Sequence, residues 1–527
     1  MMQAAVPSFN VNDQPINDAS TLVRPANLRG LAPDHTLILV NGKRRHRSAV
    51  ITFLGGQISD GAQGPDISVI PSVALKQVEV LRDGAAAQYG SDAIAGVINF
   101  ALKDDAEGGL VEFNKGQYYE GDGATTMVAG NVGLPLTDQG FVNLSLEYRT
   151  ADPTSRSVQR DDAAALINNG NTFVEDPAQV WGSPEIKGDL KFFANAGLEL
   201  DQNSEAYLFG NYARREVEGG FYFRNPHNRG GVNDGGTNDS GEQLLLVADL
   251  TPDLSGNCPT DIAVGSNVLE NPVYINQVAN NPDCFAFNEL FPGGFTPKFG
   301  GIVTDASLVV GTRGELDNEL NYDGSGAYGT NEIDYAISNT INPSLGPDTP
   351  TSFNPGRYIQ TEASFNIDIN KYIDIGGNEP LFLAGGIEYR YEAFEAIAGD
   401  PKSYEVGPLA AQGFGIGSNG FPGLAARFQG KNSRNSAALY IDSEYFFSDD
   451  FMVGAAIRYE DFSDFGDTTK GKLSARYQLN ETVPTSGAIA TGFKAQTIDQ
   501  WTVRKDTTAF RHTGWVEESR TQEAGPQ

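Results

Sequence analysis

The sequence lacks any long apolar run. No stretch of about 18 consecutive apolar residues occurs, which excludes a transmembrane helix. Residues 1–5 also lack the basic and apolar regions of a secretory signal peptide. A membrane location is not excluded by this, because the strands of a spanning β-barrel are segments of about ten residues that alternate in polarity.

Positive charge is scarce. The chain has 37 Lys and Arg residues against 68 Asp and Glu residues, and its formal net charge is -31. Binding of phosphate backbones needs a basic surface, so no nucleic-acid partner is expected. The same charge disfavours a strongly anionic ligand, unless a local basic segment receives it.

Histidine is also rare, and no arrangement of side chains points to catalysis. The histidines are isolated and lack the spacing of metal ligands: His35, His46, His227 and His512. No Ser/His/Asp order or paired-carboxylate motif stands out. The oxygen-rich run at 228–242 lacks the spacing of a calcium loop and is interpreted as a flexible loop. The sequence therefore predicts no catalytic, cofactor-binding or metal-binding residue, and no enzyme.

Glycine and aromatic residues are abundant, with 61 Gly, 30 Phe and 20 Tyr, which favours many strands and turns. From about residue 109, apolar and polar residues alternate with a period of two, as expected for strands with two different faces. In the segment 141–149, one face carries Val142, Leu144, Leu146 and Tyr148, and the other carries Asn143, Ser145, Glu147 and Arg149. A soluble β-sandwich also alternates in this way.

The connections between these segments differ in length in a regular way. Short turns at 136–140, 201–204 and 448–450 alternate with long loops at 151–187, 216–302, 339–356 and 396–433. A membrane barrel with tight turns on its periplasmic rim and long loops on its extracellular rim produces this pattern. The pattern therefore favours a barrel over a sandwich.

Residues 78–100 read VEVLRDGAAAQYGSDAIAGVINF. An apolar-alternating strand runs into Leu-Arg, a turn of small residues, Tyr-Gly-Ser and a final Gly-Val-Ile-Asn. Glycines at 84, 90 and 96 allow tight turns and close approach of the backbone. The whole string closely resembles the plug-domain signature of TonB-dependent outer-membrane receptors.

The resemblance implies a mainly β protein: an antiparallel transmembrane β-barrel with a small α+β plug domain in its lumen. Residues 1–107 are expected to form the plug and residues 108–527 the barrel. We count roughly 13 or 14 strands, whereas barrels of this kind have about 22. An open sheet cannot span a bilayer. We therefore expect a fragment without its energy-coupling segment and its last strands.

The resemblance also implies active uptake of a scarce nutrient at the bacterial outer membrane. The ligand would be an iron-siderophore, cobalamin or an oligosaccharide, and a TonB-type periplasm-spanning protein would supply the energy. The barrel would contact outer-membrane lipid, and no cofactor is implied. A passive porin and a secreted polysaccharide-acting enzyme are the alternatives. The plug argues against a porin, because a folded domain would obstruct the pore.

A plug-to-barrel lock is a further implication of the family. In the family, two plug arginines pair with glutamates of the barrel wall. The matching positions here are Arg29, Arg82 and Glu523. Confined charges can form bidentate pairs. The alternative is that each makes a screened contact worth about 0–1 kcal/mol.

A basic run follows the turn signal Asn41-Gly42. It consists of Lys43, Arg44, Arg45, His46 and Arg47. One interpretation is a plug apex that faces the ligand. The others are an ordinary solvated turn, or counter-charges to an acidic barrel wall, and we favour these two over the ligand-facing apex.

Cys258 and Cys284 are the two cysteines, and both lie in one long loop. In an exported protein, such a pair predicts a disulfide. Closure of this loop would stabilise it by roughly 3–4 kcal/mol in the chain-entropy picture.

Overall fold

A computed structural model describes residues 6, 8–11, 18–52, 61–82, 84–377, 379–480 and 483–498. One antiparallel sheet of 13 strands and one sheet of four strands dominate these residues, which confirms the predicted mainly β fold. Ile38, Ile98 and Phe100 of the small sheet pack against Phe193 and Phe209 of the large sheet. We call this face of the large sheet its inner face, and the domain around the small sheet the plug.

The strands follow one another along the chain in three groups. The plug contains β1 (Phe9–Asn10), β2 (Asn27–Leu28), β3 (Thr36–Val40), β4 (Lys43–Arg44), β5 (Leu75–Leu81) and β6 (Gly96–Leu102). The large sheet begins with β7 (Gly109–Gly116), β8 (Thr125–Pro135), β9 (Gly140–Ala151), β10 (Glu185–Glu199) and β11 (Ser204–Gly219). A long loop then contains β12 (Asp234–Thr237), β13 (Gln243–Leu245), β14 (Ala248–Asp249) and β15 (Cys284–Phe285). The sheet continues with β16 (Lys298–Glu315), β17 (Asn321–Ser338), β18 (Ser352–Ile373), β19 (Leu381–Ala398), β20 (Gly430–Ser448), β21 (Phe451–Phe462), β22 (Gly466–Asn480) and β23 (Val483–Ala490).

The helices in the described part of the chain are short. The α-helices are Ala86–Tyr89, Asp161–Asn168 and Pro272–Tyr274, and a π-helical turn follows at Ile275–Ala279. The 3₁₀ turns are Asp18–Leu22, Pro33–His35, Ile67–Val69, Ser72–Ala74, Val268–Glu270, Phe287–Glu289, Pro343–Asp348, Pro401–Ser403, Pro408–Gln412 and Ala426–Phe428. None of the helices described here combines the length and the apolar character needed to cross a membrane.

Each strand of the large sheet pairs with the strand of the same sheet that comes next along the chain. Strand β11 therefore pairs with β16, across the longest loop. Within the described residues, β7 and β23 form the two edges and do not pair with each other. Connections at one end of the sheet include the long loops 152–184, 220–297, 339–351 and 399–429. Turns at the other end, such as 136–139 and 200–203, are short. We call these the loop end and the turn end.

The two faces of the large sheet differ in polarity. Along β9, Asn143, Ser145 and Glu147 are buried on the inner face, whereas Leu146 and Tyr148 are exposed on the outer face. Other strands repeat this arrangement, with exposed apolar residues that include Leu308, Val310, Tyr328, Phe365, Ile367, Ile387, Leu439, Ile457, Tyr459 and Leu473. A soluble sheet does the reverse, because it buries its apolar face. An exposed apolar face of this extent is typical of a surface in contact with lipid.

The plug sheet has the strand order β4-β3-β6-β5, with β3 and β6 parallel. The segment 78–100 supplies the end of β5, the helix Ala86–Tyr89 and most of β6. Gly96, the first residue of β6, has φ 149°, and a Cβ atom there would lie 2.2 Å from the carbonyl oxygen of Leu81. Glycine is therefore required where the two strands meet. The predicted domain boundary at residue 107 falls between β6 and β7.

Candidate functional site

The contact between the plug and the inner face is organised by a β-hairpin. Strands β3 and β4 pair with Val40 opposite Lys43, so Asn41 and Gly42 form a two-residue turn. Both turn residues have positive φ, 46° and 78°, as an Asn-Gly hairpin turn requires. The hairpin directs the basic run, which begins with β4 itself, against the inner face.

Arg45 and His46 share one carboxylate of the inner face. Asp305 on β16 accepts a charge-assisted hydrogen bond from Arg45, and its second oxygen lies 2.9 Å from Nε2 of His46. Arg45 Nη1 also donates to Asn211 Oδ1 and Ser307 Oγ, both at 2.7 Å. The arginine fork is therefore filled by acceptors of β11 and β16.

Arg47 links the plug to the next part of the wall. It donates to Asp92 at 2.6 Å, pairs with Glu392 on β19, and lies 3.6 Å from Glu362 on β18. Its backbone N–H also donates to Glu362 at 3.0 Å. Burial alone would lower the pKa of Arg47, but the three carboxylates outweigh it and raise that pKa well above its usual range.

Asp92 lies in the plug turn that follows the helix Ala86–Tyr89, and it bridges two cations of the basic run. Arg44 Nη1 is 3.0 Å from it, and Arg47 Nη2 is 2.6 Å from it. Burial alone would raise the pKa of Asp92, but Arg47 and Arg44 outweigh that effect and hold the pKa far below its usual range. Asp92 is therefore ionised at neutral pH.

Lys43 completes the contact nearer the turn end. Its ammonium group is 3.1 Å from Asp323 and 3.6 Å from Asp368. The five residues of the run thus face carboxylates of the large sheet or of the plug itself, and Arg45, His46 and Arg47 are buried. This is the arrangement of counter-charges to an acidic wall, and a ligand-facing role for these side chains stays a prediction.

Two residues of the expected plug-to-barrel lock, Arg29 and Arg82, take no part in this network. Arg29 and Arg82 are exposed, and neither forms a side-chain ion pair with a described residue. Glu523 lies outside the described residues. The lock therefore stays a prediction.

An aromatic cluster joins plug, sheet and loops at the loop end. Phe421, from the loop 399–429, packs with ring centroids 4.6 Å from Phe299 and 5.2 Å from Tyr335. Leu22 and Val50 of the plug belong to the same buried cluster. The loop 399–429 therefore shares buried clusters with the plug at the loop end.

The loops bind one another as well. Gly415 N–H donates to Gly231 O at 2.8 Å, which joins the loops 399–429 and 220–297. The side-chain amide of Asn342 donates to Lys402 O at 2.9 Å, which joins the loops 339–351 and 399–429. The three longest connections after β11 therefore form one interlocked cap.

Cys258 and Cys284 form a disulfide within this cap, with a sequence separation of 26 residues. Replacing both residues by serine is expected to destabilise the loop 220–297 by about 3.5 kcal/mol in the chain-entropy model. The loop should become sensitive to protease at a lower temperature, while the heat-modifiable gel mobility of the protein stays unchanged. Reduction of the natural protein should reproduce the effect, and an unchanged protease profile in both cases would contradict it.

Three of the four histidines can be placed. His46 contacts Asp305, His227 is buried in the cap, and His35 precedes β3, whereas His512 lies outside the described residues. Burial lowers the pKa of His227. No cluster of three or more His, Cys, Asp or Glu residues in the described segments is arranged to hold a metal ion.

Sequence reasoning did not identify the acceptors of the basic run. These acceptors include Asp305, Glu362 and Glu392, which occupy inner-face positions. The available signal for them was the alternation of polar and apolar residues along each strand. Alternation identifies the face, but it does not reveal which plug residue lies opposite each acid.

Two family models match the chain. The model for the "TonB-dependent Receptor Plug Domain" matches residues 1–97. The model for the "TonB dependent receptor-like, beta-barrel" matches residues 276–525. The first match covers the plug sheet almost to its end, and the second covers the large sheet from the cap onward.

Known relatives extend this similarity. The ferric enterobactin receptor PirA of Pseudomonas aeruginosa is 24% identical over 486 residues, which are 90% of this chain and 53% of that protein. The vitamin B12 transporter BtuB of Vibrio vulnificus is 40% identical over 72 residues, 14% of this chain and 10% of that protein. The chain thus spans about half the length of the Pseudomonas aeruginosa receptor PirA.

Solved structures share the fold. The siderophore receptor PirA from Acinetobacter baumannii superposes with a TM-score of 0.56 at 18% identity, over 93% of this chain and 57% of that one. The ferric enterobactin receptor PfeA from Pseudomonas aeruginosa gives 0.58 at 17% identity, over 94% and 59%. With both domain models matched and a plug seated on the inner face of a large antiparallel sheet, the chain belongs to the TonB-dependent receptor family.

Proposed function

We propose that this chain is part of a receptor in the bacterial outer membrane that takes up a scarce nutrient with energy supplied by a TonB-type partner. The observation that carries the proposal is the contrast between the two faces of the large sheet. The outer face is apolar and exposed, whereas the polar inner face holds a folded plug. A lipid-facing wall with an obstructed lumen suits a gated transporter.

The contacts of the basic run suggest how the plug is held between transport events. Arg45, His46 and Arg47 bind acids on three different strands, β16, β18 and β19. Separating such pairs exposes charges to water, so each lost pair is replaced by hydration once the plug moves. Movement of the plug is then an order–disorder or hinge switch that an external pull can drive.

The ligand is expected at the loop end, where the plug lies beneath the cap. Binding would have to displace or open the loop 399–429, because this loop packs on the buried clusters that plug residues join there. The names of the relatives favour a ferric siderophore or cobalamin, and an oligosaccharide remains the third class. We propose no covalent chemistry, so the protein acts by binding and conformational change.

Uptake measurements on cells that produce the full-length receptor test this proposal. Labelled ferric enterobactin and labelled cobalamin should be offered separately, with and without a protonophore. Energy-dependent accumulation of one of them, together with energy-independent binding, is the expected result. Accumulation that persists without the proton gradient would instead support a passive porin, and failure to extract the protein from outer membranes would support a soluble enzyme.

A further inference from the structure

A second polar site lies away from the basic run. At the loop end, a cavity of about 200 Å³ separates the plug from strands β8–β11. Arg24 and Ser68 of the plug and Arg149, Lys191 and Arg215 of the sheet contribute to its lining. None of the residues 43–47 reaches it.

Two of these cations are already neutralised. Lys191 Nζ lies 2.6 Å from Glu147 and 3.2 Å from Asp189. Arg215 lies 3.0 Å from Asp66, and its terminal nitrogens also donate to Ser68 and to the carbonyl of Leu22. The contacts of Arg215 tie the plug to β11, whereas those of Lys191 stay within β9 and β10.

Arg149 is different. It forms no side-chain hydrogen bond or ion pair with another described residue, and its buried Nε lacks an acceptor. The Nε of Arg215 is also buried without an acceptor, although Arg215 is 93% buried (7% exposed). Buried polar atoms in proteins nearly always have partners. Both unmatched atoms are N–H donors, so the cavity calls for a group that accepts hydrogen bonds.

We propose that this cavity binds the acidic group of a small ligand, a carboxylate or a phosphate, with Arg149 as its main contact. An ionised carboxylate only accepts hydrogen bonds, and a guanidinium can bind it through two parallel bonds. Asp152, the remaining carboxylate in the lining, is exposed to solvent. The cavity volume equals the volume that about six or seven water molecules occupy in the liquid. It therefore admits a small acid or one acidic arm of a larger cargo.

A role in cargo passage rests on the proposed uptake function, but the binding itself does not. Purified full-length receptor in detergent should be titrated calorimetrically with succinate, inorganic phosphate and the neutral polyol erythritol. One of the two anions should bind, more weakly as salt increases, and erythritol should not. Arg149→Gln should weaken anion binding about tenfold or more, since it removes a charge-assisted pair.

Arg313→Gln is the matched control, because Arg313 is 58% exposed and lies near the turn end of β16. It should leave anion binding unchanged. If Arg149→Gln loses heat-modifiable mobility, Arg149→Lys replaces it and should give intermediate binding. Equal affinity in the Arg149 variants, or equal binding of erythritol and the anions, would show a water-filled cavity and overturn the proposal. Loss of energy-dependent uptake with intact anion binding would contradict only the proposed function.

Discussion

Replacing Arg47 by alanine is expected to unseat the plug and to lower its free energy of unfolding by about 3–5 kcal/mol. The side chain of Arg47 is 7% exposed and faces Asp92, Glu362 and Glu392. Its removal takes a shared cation from three buried carboxylates. Asp92 keeps its contact with Arg44, and Glu392 keeps Arg390 and Arg434. Glu362, however, is left without a cation among the described residues, and a buried charge without a counter-charge is strongly unfavourable. The cost therefore falls on the contact between plug and wall, and the outward lipid-facing surface is unaffected.

Two measurements should detect the weakened contact between plug and wall. Protease digestion of the full-length receptor in increasing urea should cleave the plug at a lower urea concentration than in the natural protein. Cells that produce the variant should also become sensitive to large antibiotics such as vancomycin, because an unseated plug leaves the lumen open.

Arg156→Ala is the control for this experiment. Arg156 also contacts two acids, Asp122 at 2.6 Å and Glu120 at 3.3 Å, but it is 42% exposed. An exposed pair of this kind contributes about 0–1 kcal/mol. Equal urea shifts for Arg47→Ala and Arg156→Ala would show that the basic run does not hold the plug.

Leu439→Arg is expected to destabilise the membrane-inserted sheet by about 2–4 kcal/mol. Leu439 on β20 is 54% exposed on the outer face. It lies in a row with Ile367, Ile387 and Tyr459, which stand directly opposite one another on successive strands. A charge in the middle of such a row must be desolvated by lipid, whereas on a soluble protein the same exposed position would tolerate arginine.

Leu316→Arg provides the comparison. Leu316 is 49% exposed, close to the value for Leu439, but it lies in the turn 316–320 at the turn end. Near the membrane interface the cost of arginine falls to about 0–1 kcal/mol. Guanidinium titrations of the receptor in lipid vesicles should separate the two variants. Indistinguishable stabilities would argue that the outer face is not in lipid.

The strands were predictable because their signal is local. The alternation in 141–149, for example, gives the two faces of β9 as observed. Long and short connections could be read from the sequence for the same reason. Each of these features depends only on neighbours along the chain.

Contacts over long distances in sequence could not be predicted. Arg47 and Glu392 are separated by 345 residues, and their meeting depends on how the plug is oriented against the sheet. The composition showed that acids are plentiful, so a counter-charge role for the basic run remained one of three possibilities. The cavity beside Arg149 was invisible to sequence reasoning, because its lining comes from the plug and from several strands of the sheet.

The arrangement of the plug strands has a mechanical consequence. The antiparallel pair β1–β2 has only two residue pairs, so a pull across it would open it one pair at a time. Strand β3 is instead held on parallel β6 by five residue pairs, which a pull on its N-terminal end loads together in shear. Since only Asn41 and Gly42 separate β3 from the basic run, tension that frees β3 next reaches Arg45 and Arg47. Resistance to tension is thus concentrated in residues 36–47, whereas the preceding pair β1–β2 resists little.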